Sequence, residues 1–303
     1  MPSEGRSVLV GVAPMRLAVA PGGRLPQSVI DDDHRLVVEQ ALEWQQTAGQ
    51  AVFWEMGATA QGTAEGRVYT LAGQMASAGE QLALAHAGAV EVALWQELRG
   101  RSEPDPAHEM SMRGMAEAQC LFVMSTAHAI ANVTVRALAL HPSLRAALVK
   151  KLRRGRSSPT FDPFSQDWAD WPSLNDETCN AIRAVARSSE KRDVIRLVEP
   201  VVRFGAGGTW KDLQERRGED FHRWRPQTHG IEGVPRSSPW TRSGSTRRLD
   251  VGHPTYEDAR GLADETARLA SEAMIDLAIS MKAFMERWPA AGKHLGGPRF
   301  KSA

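Results

Sequence analysis

Three long stretches of this chain repeat apolar positions at helical spacing. Val37, Ala41, Trp44 and Ala48 share one side of the first, which predicts a helix from about 33 to 56. Leu71, Met75, Leu82, Ala89 and Ala93 predict a second, from about 67 to 98. The third starts near His108 and runs to Leu140, where His141-Pro142 stops it. Asp31, Asp32 and Asp33 suit the positive end of the first helix. Gly57 and Gly62, then Gly100 and Pro104-Asp105-Pro106, separate the three. Long helices with modest connections predict up-and-down bundle packing.

The rest of the chain is read the same way. A short helix is expected from about 143 to 154, then a Pro- and Trp-bearing loop over 157–175. Ser173-Leu174-Asn175-Asp176 resembles a capping signature and opens a helix expected from Glu177 to about Val202. Gly205-Ala206-Gly207-Gly208 breaks the chain before a short helix from Trp210 to Arg217. Residues 218–254 form the longest stretch with no regular pattern. A last helix is expected from Tyr256 to Trp288, with Leu262, Leu269, Ala273, Leu277 and Phe284 toward the bundle and Pro289 as its stop. Strand patterns rich in Val and Ile are scarce, which argues against an α/β enzyme. The expected fold is all-α, an elongated helical bundle with a long irregular loop insertion. It comprises an irregular arm over 1–30, a mainly helical domain over 31–288 and a flexible tail over 289–303.

Composition adds bounds. A chain of 303 residues can bury a substantial core. A net charge of +1 gives no global basic field for nucleic acid. Cys120 and Cys179 lack metal spacing and read as reduced, structural residues of a cytoplasmic protein. The apolar patch Ser7–Met15 is short and follows a glutamate, so no leader peptide is expected. The run 120–140 is long enough to span a bilayer, but its polar residues favour a soluble core helix and no membrane partner.

Those polar residues are the main candidate chemistry. His128, Asn132 and Arg136 recur every fourth residue. At about 100° per residue, Phe122, Thr126, Ile130, Val133 and Ala137 cover a different face. Leu121, Met124, Val135 and Ala139 lie near the polar line. The line therefore points into a helix seam, a cleft or a subunit interface. One reading is a structural network in which Arg136 pairs with a carboxylate on another helix while His128 and Asn132 fix register. The other is a site for an anion or phosphate, since a guanidinium offers paired donors.

The spacing from Arg136 to His141, with four residues between, resembles the motif of the HEPN family. These are small all-helical domains, many of them ribonucleases. The resemblance implies a homodimer whose Arg and His meet across the interface. It implies cleavage of RNA without metal, by attack of a ribose 2′-hydroxyl on the adjacent phosphate. Arg136 would stabilise phosphate charge and His141 would transfer protons. Ala137 stands where the family often carries Asn. The cluster Lys150-Lys151-Leu152-Arg153-Arg154-Gly155-Arg156 suits RNA phosphates, or simply the negative end of a helix.

A second candidate region lies in the long loop. His222, Arg223, Trp224, Arg225 and His229 combine imidazoles, cations and an aromatic ring. Trp224 could stack on a flat ligand, the arginines could clamp an anion, and either histidine could move a proton. The plain reading is a loop pinned by tryptophans and surface ion pairs. Arg217 to His222 repeats the Arg-x4-His spacing. There is no HExxH, no paired ExxH, no P-loop and no GxSxG, so no metal or cofactor is predicted. Three readings follow. The first is recognition of RNA or a small anionic ligand, with metal-independent ribonuclease activity. The second is a helical scaffold in which the 218–240 loop contacts another protein. The third is a small-molecule enzyme or sensor with a pocket at Trp224, Arg225 and His229.

Overall fold

The computed structural model describes residue 29 and residues 31–60, 66–99, 106–152, 161–165, 170–218, 240–243, 246–249 and 256–298. Among these, eight helices carry the fold: α1 (Asp32–Ala60), α2 (Arg67–Arg99), α3 (Pro106–Ala139), α4 (Pro142–Lys151), α5 (Asp176–Ser188), α6 (Arg192–Ala206), α7 (Gly208–Gly218) and α8 (Tyr256–Leu295). The expected all-α bundle is what forms. The arm over 1–30 lies outside the described residues apart from Val29, which is buried.

Helix α3 is the centre. It packs between α2 and α8, and from Ala129 to Ala139 every side chain is buried. A helix that is covered all round needs apolar residues all round. The stretch Ser111–Ala139 is long and apolar enough to cross a membrane by length and composition, and 78% of its apolar window is buried inside this fold. Helix α1 lies on α2 and α8, while α4 to α7 close over the C-terminal half of α3. An aromatic row of Trp44, Phe284 and Trp288 joins α1 to α8, with ring centroids 5.7 and 6.0 Å apart.

Close helix packing depends on two glycines of α2. A Cβ at Gly79 would lie 2.6 Å from the Ala41 carbonyl oxygen of α1. One at Gly88 would lie 2.9 Å from the Gln119 Cβ of α3. Asp31 caps helix α1: its Oδ1 accepts the His34 amide at 2.8 Å.

Four boundaries differ from the sequence expectation. The helix expected over 177–202 is two helices. Glu190 adopts a positive φ of 57°, and the Ser188 and Ser189 hydroxyls donate to the Val185 and Ala186 carbonyls, closing α5. The cap of α5 is Asn175, not Ser173: Asn175 Oδ1 accepts the Thr178 amide at 2.9 Å. Pro289 does not end α8, and the expected flexible tail is packed as far as described. Ala291 and Leu295 are buried, and Trp288 Nε1 donates to the Pro298 carbonyl at 2.9 Å. The stretch 218–254, expected to be irregular, contains an antiparallel hairpin, β1 (Trp240–Ser243) with β2 (Thr246–Leu249), in which Trp240 pairs with Leu249.

Pro200 sits inside α6 without breaking it. Proline has no N–H, so the Arg196 carbonyl one turn back lacks its helical donor. Arg287 of α8 supplies one, with Nη1 2.6 Å from that oxygen. Gly205 of α6 lets α5 approach closely, since a Cβ there would meet Cys179 Sγ at 2.5 Å. Gly205→Ala should therefore cost about 1–3 kcal/mol by overpacking. Cys179→Ala in the same chain should recover at least half of that, as read by urea unfolding.

Candidate functional site

The polar line of α3 meets the backbone of the segment between α4 and α5. The chain between α4 and α5 runs along it, and a connector held against a core must satisfy its own N–H and C=O groups. The Leu174 amide donates to His128 Nδ1 at 3.0 Å. Asn132 Nδ2 donates to the Pro172 carbonyl at 3.0 Å and to the His128 carbonyl at 2.8 Å. Asn132 Oδ1 accepts from Arg136 Nη1 at 2.7 Å, and Arg136 Nη2 donates to the Ser165 carbonyl at 3.4 Å. Three side chains at helical spacing thus clamp the connector at three points.

Arg136 is fully buried. Its hydrogen bonds go to Asn132 and a loop carbonyl, not to a carboxylate on another helix. Burial lowers its pKa to about 10, against the opposing pull of Asp162 and then Asp170, both on the connector. It stays charged at neutral pH. Its Nε has no partner among the described residues, so the bonds it does make matter more.

His128 accepts a hydrogen bond at Nδ1, which places the proton of the neutral ring on Nε2. Burial, and then the Arg217 charge, lower its pKa. Both effects hold it neutral, as the bond to Leu174 requires. Its ring stands edge-on to Trp210 of α7, with centroids 5.9 Å apart and planes at 84°. Trp210 in turn leans on Phe204 of α6 at 5.4 Å. The clamp is therefore continuous with the packing of α6 and α7.

His141 stands elsewhere. It is the extended residue before Pro142, at φ −81° and ψ 122°, and it opens α4. It is half-buried, and its Nδ1 lies 2.9 Å from Ser143 Oγ. Arg136 and His141 each have their own partners, and no hydrogen bond joins them. Past Pro142, Lys150 and Lys151 are exposed at the end of α4. The loop candidates His222, Arg223, Trp224, Arg225 and His229 lie outside the described residues. Just before them, Arg216 is buried and ties α7 to α8, with Nε 3.0 Å from Thr266 Oγ1 and Nη2 3.3 Å from a Glu265 oxygen.

Other chemistry is limited. Burial, and then Asp176, push the Cys179 thiol up to about 11, so it is not a nucleophile at neutral pH. Among the described residues no group of three His, Cys, Asp or Glu side chains could hold a metal ion. Sequence reasoning missed a histidine pair. His34 of α1 and His86 of α2 meet with ring centroids 5.2 Å apart. The available signal was that each occupies an apolar stripe: Val38 follows His34 by one turn, and Leu82 and Val90 flank His86. The chain matches no family model, no curated protein and no solved structure.

Proposed function

We propose that this chain is a helical protein-interaction module whose recognition surface is the end of the α1–α2 hairpin. The observation that carries the reading is a set of large apolar side chains left in water there. Phe53 is 75% exposed, Met56 54%, and Trp54 and Tyr69 40% each. The contact of Gly79 with Ala41 and Gln45 fixes the antiparallel pairing, which puts Tyr69 level with the last turns of α1. A grouped apolar surface of this kind marks an interaction site. A second support is that the polar line of α3 is occupied in positioning the connector. Both cysteines are buried and neither forms a disulfide, which fits a cytoplasmic setting.

A metal-independent ribonuclease of the HEPN kind is the second reading. The half-buried His141 and the exposed Lys150 and Lys151 favour it. Arg136 would have to exchange its bonds to Asn132 and Ser165 for a phosphate.

Two measurements separate the readings. A photo-crosslinking benzoylphenylalanine at position 53 should give one discrete protein adduct in the source cells. The adduct should be lost when Trp54 and Met56 are changed to serine, and absent with the probe at Lys191 on the opposite part of the sequence. No adduct, or the same adduct from both positions, contradicts the module. Single-stranded RNA of mixed sequence in excess EDTA should stay intact. Cleavage that disappears in a folded His141→Ala variant would favour the nuclease instead.

A further inference from the structure

The His34–His86 pair is unusual in what surrounds it. His86 is 2% exposed and His34 7%. Among the described residues, both ring nitrogens of His86 and Nδ1 of His34 are buried without a hydrogen-bond partner. A neutral imidazole carries one donor and one acceptor, so His86 leaves both unpaired inside the fold. The rings pack edge to face, at 64°. One turn further along each helix, Val38 and Val90 join Val29, Ala93 and Leu94 in a small apolar cluster separate from the main core. On the same turns Val37, Ala83, Ala85 and Ala89 belong to the main core, so the pair lies beside packed core as well as that cluster.

We propose that the His34–His86 contact is an acid-sensitive latch: protonation of the pair releases the first turns of α1 from α2. A proton on either ring places a cation in apolar surroundings against a second imidazole, and a second proton adds direct repulsion. The charged groups acting on the pair from the start of α1 are Asp31 and Asp33, which favour protonation; α2 contributes His86 itself. No carboxylate of α2, α3 or α8 acts on the pair among the described residues. Asp31 already accepts the His34 amide through Oδ1. With the helices apart, both rings regain water and His34 stays beside Asp31 and Asp33 on its own helix.

The direction follows from linkage. Burial, and then His34, lower His86 to about 4 from an ordinary 6.5, and burial lowers His34 also. The opened state thus binds more protons than the closed one between pH 6.5 and 4. The latch is fully closed above 6.5 and weakens as pH falls toward 4. For His86 alone, the opening equilibrium should rise about 70-fold between pH 7.5 and 4.5.

Hydrogen exchange on the full chain tests this, with rates corrected for intrinsic pH dependence. Between pH 7.5 and 4.5, amides over 34–42 and 86–94 should lose protection at least tenfold more than those over 270–285. His86→Phe keeps an apolar ring in place and should remove most of that difference; His34→Phe serves if the first variant does not fold. Equal change in both regions of the wild-type protein overturns the latch, whatever the variants do. So does an acid response unchanged in a folded variant.

Discussion

Arg136→Ala should cost about 3–5 kcal/mol of stability, the range for removing one partner from a buried charged network. The substitution deletes a fully buried side chain and leaves a cavity beside α3. It removes the Arg136 donors that reach Asn132 Oδ1 and the Ser165 carbonyl. It also removes a positive charge that Asp162 and Asp170 act on. Arg136→Met fills the cavity and removes the charge, so it should cost less, about 2 kcal/mol, for the orphaned acceptors. Arg136→Lys keeps the charge, but one ammonium cannot span Asn132 and Ser165 as a planar fork does. Its loss should fall between the other two. Urea midpoints at constant m-value rank the three.

Gly79→Val should be the most damaging change on α2. A Cβ at position 79 meets the Ala41 carbonyl oxygen at 2.6 Å and Gln45 Cγ at 2.9 Å. The Gln45 side chain can move, but the carbonyl belongs to the backbone of α1. Two further methyl groups force the helices apart, and the cost should exceed about 3 kcal/mol, above the usual range for overpacking. Gly79→Ala should cost about 1–3 kcal/mol. The contrast lies two turns earlier on the same helix. A Cβ at Gly73 meets nothing within 4 Å, so Gly73→Ala should gain about 0.5–1 kcal/mol from helix propensity alone. Opposite signs for glycines on one helix would show that the spacing of α1 and α2 is set at Gly79. Thermal unfolding of the two alanine variants is sufficient to read it.

What the sequence revealed follows physical lines. The bounds of α2 and α3 were legible because Gly, Pro and apolar periodicity agree there. The split of α5 from α6 was not, because the left-handed turn falls on Glu190, a residue type that does not announce one. The missing N–H of Pro289 marks a helix stop, yet Trp288, Ala291 and Leu295 pack well enough to carry α8 through it. The polar line on α3 was visible as a repeat of every fourth residue. Its partners were not, since the Leu174 amide and the Pro172 and Ser165 carbonyls are backbone groups that any residue provides. The histidine latch was hidden for a different reason: its halves come from two helices, and neither half forms a motif.

His128, Asn132 and Arg136 act together to clamp the connector. Hydrogen exchange over 161–175 in wild type and Asn132→Ala tests it most directly. Removing Asn132 breaks the bond to Pro172 and releases Arg136 Nη1. The Leu174 amide and its neighbours should exchange at least tenfold faster in the variant, while α2 and α8 keep their protection. Unchanged exchange over 161–175 in a folded Asn132→Ala protein would contradict the clamp and return the polar line to the candidates for a ligand site.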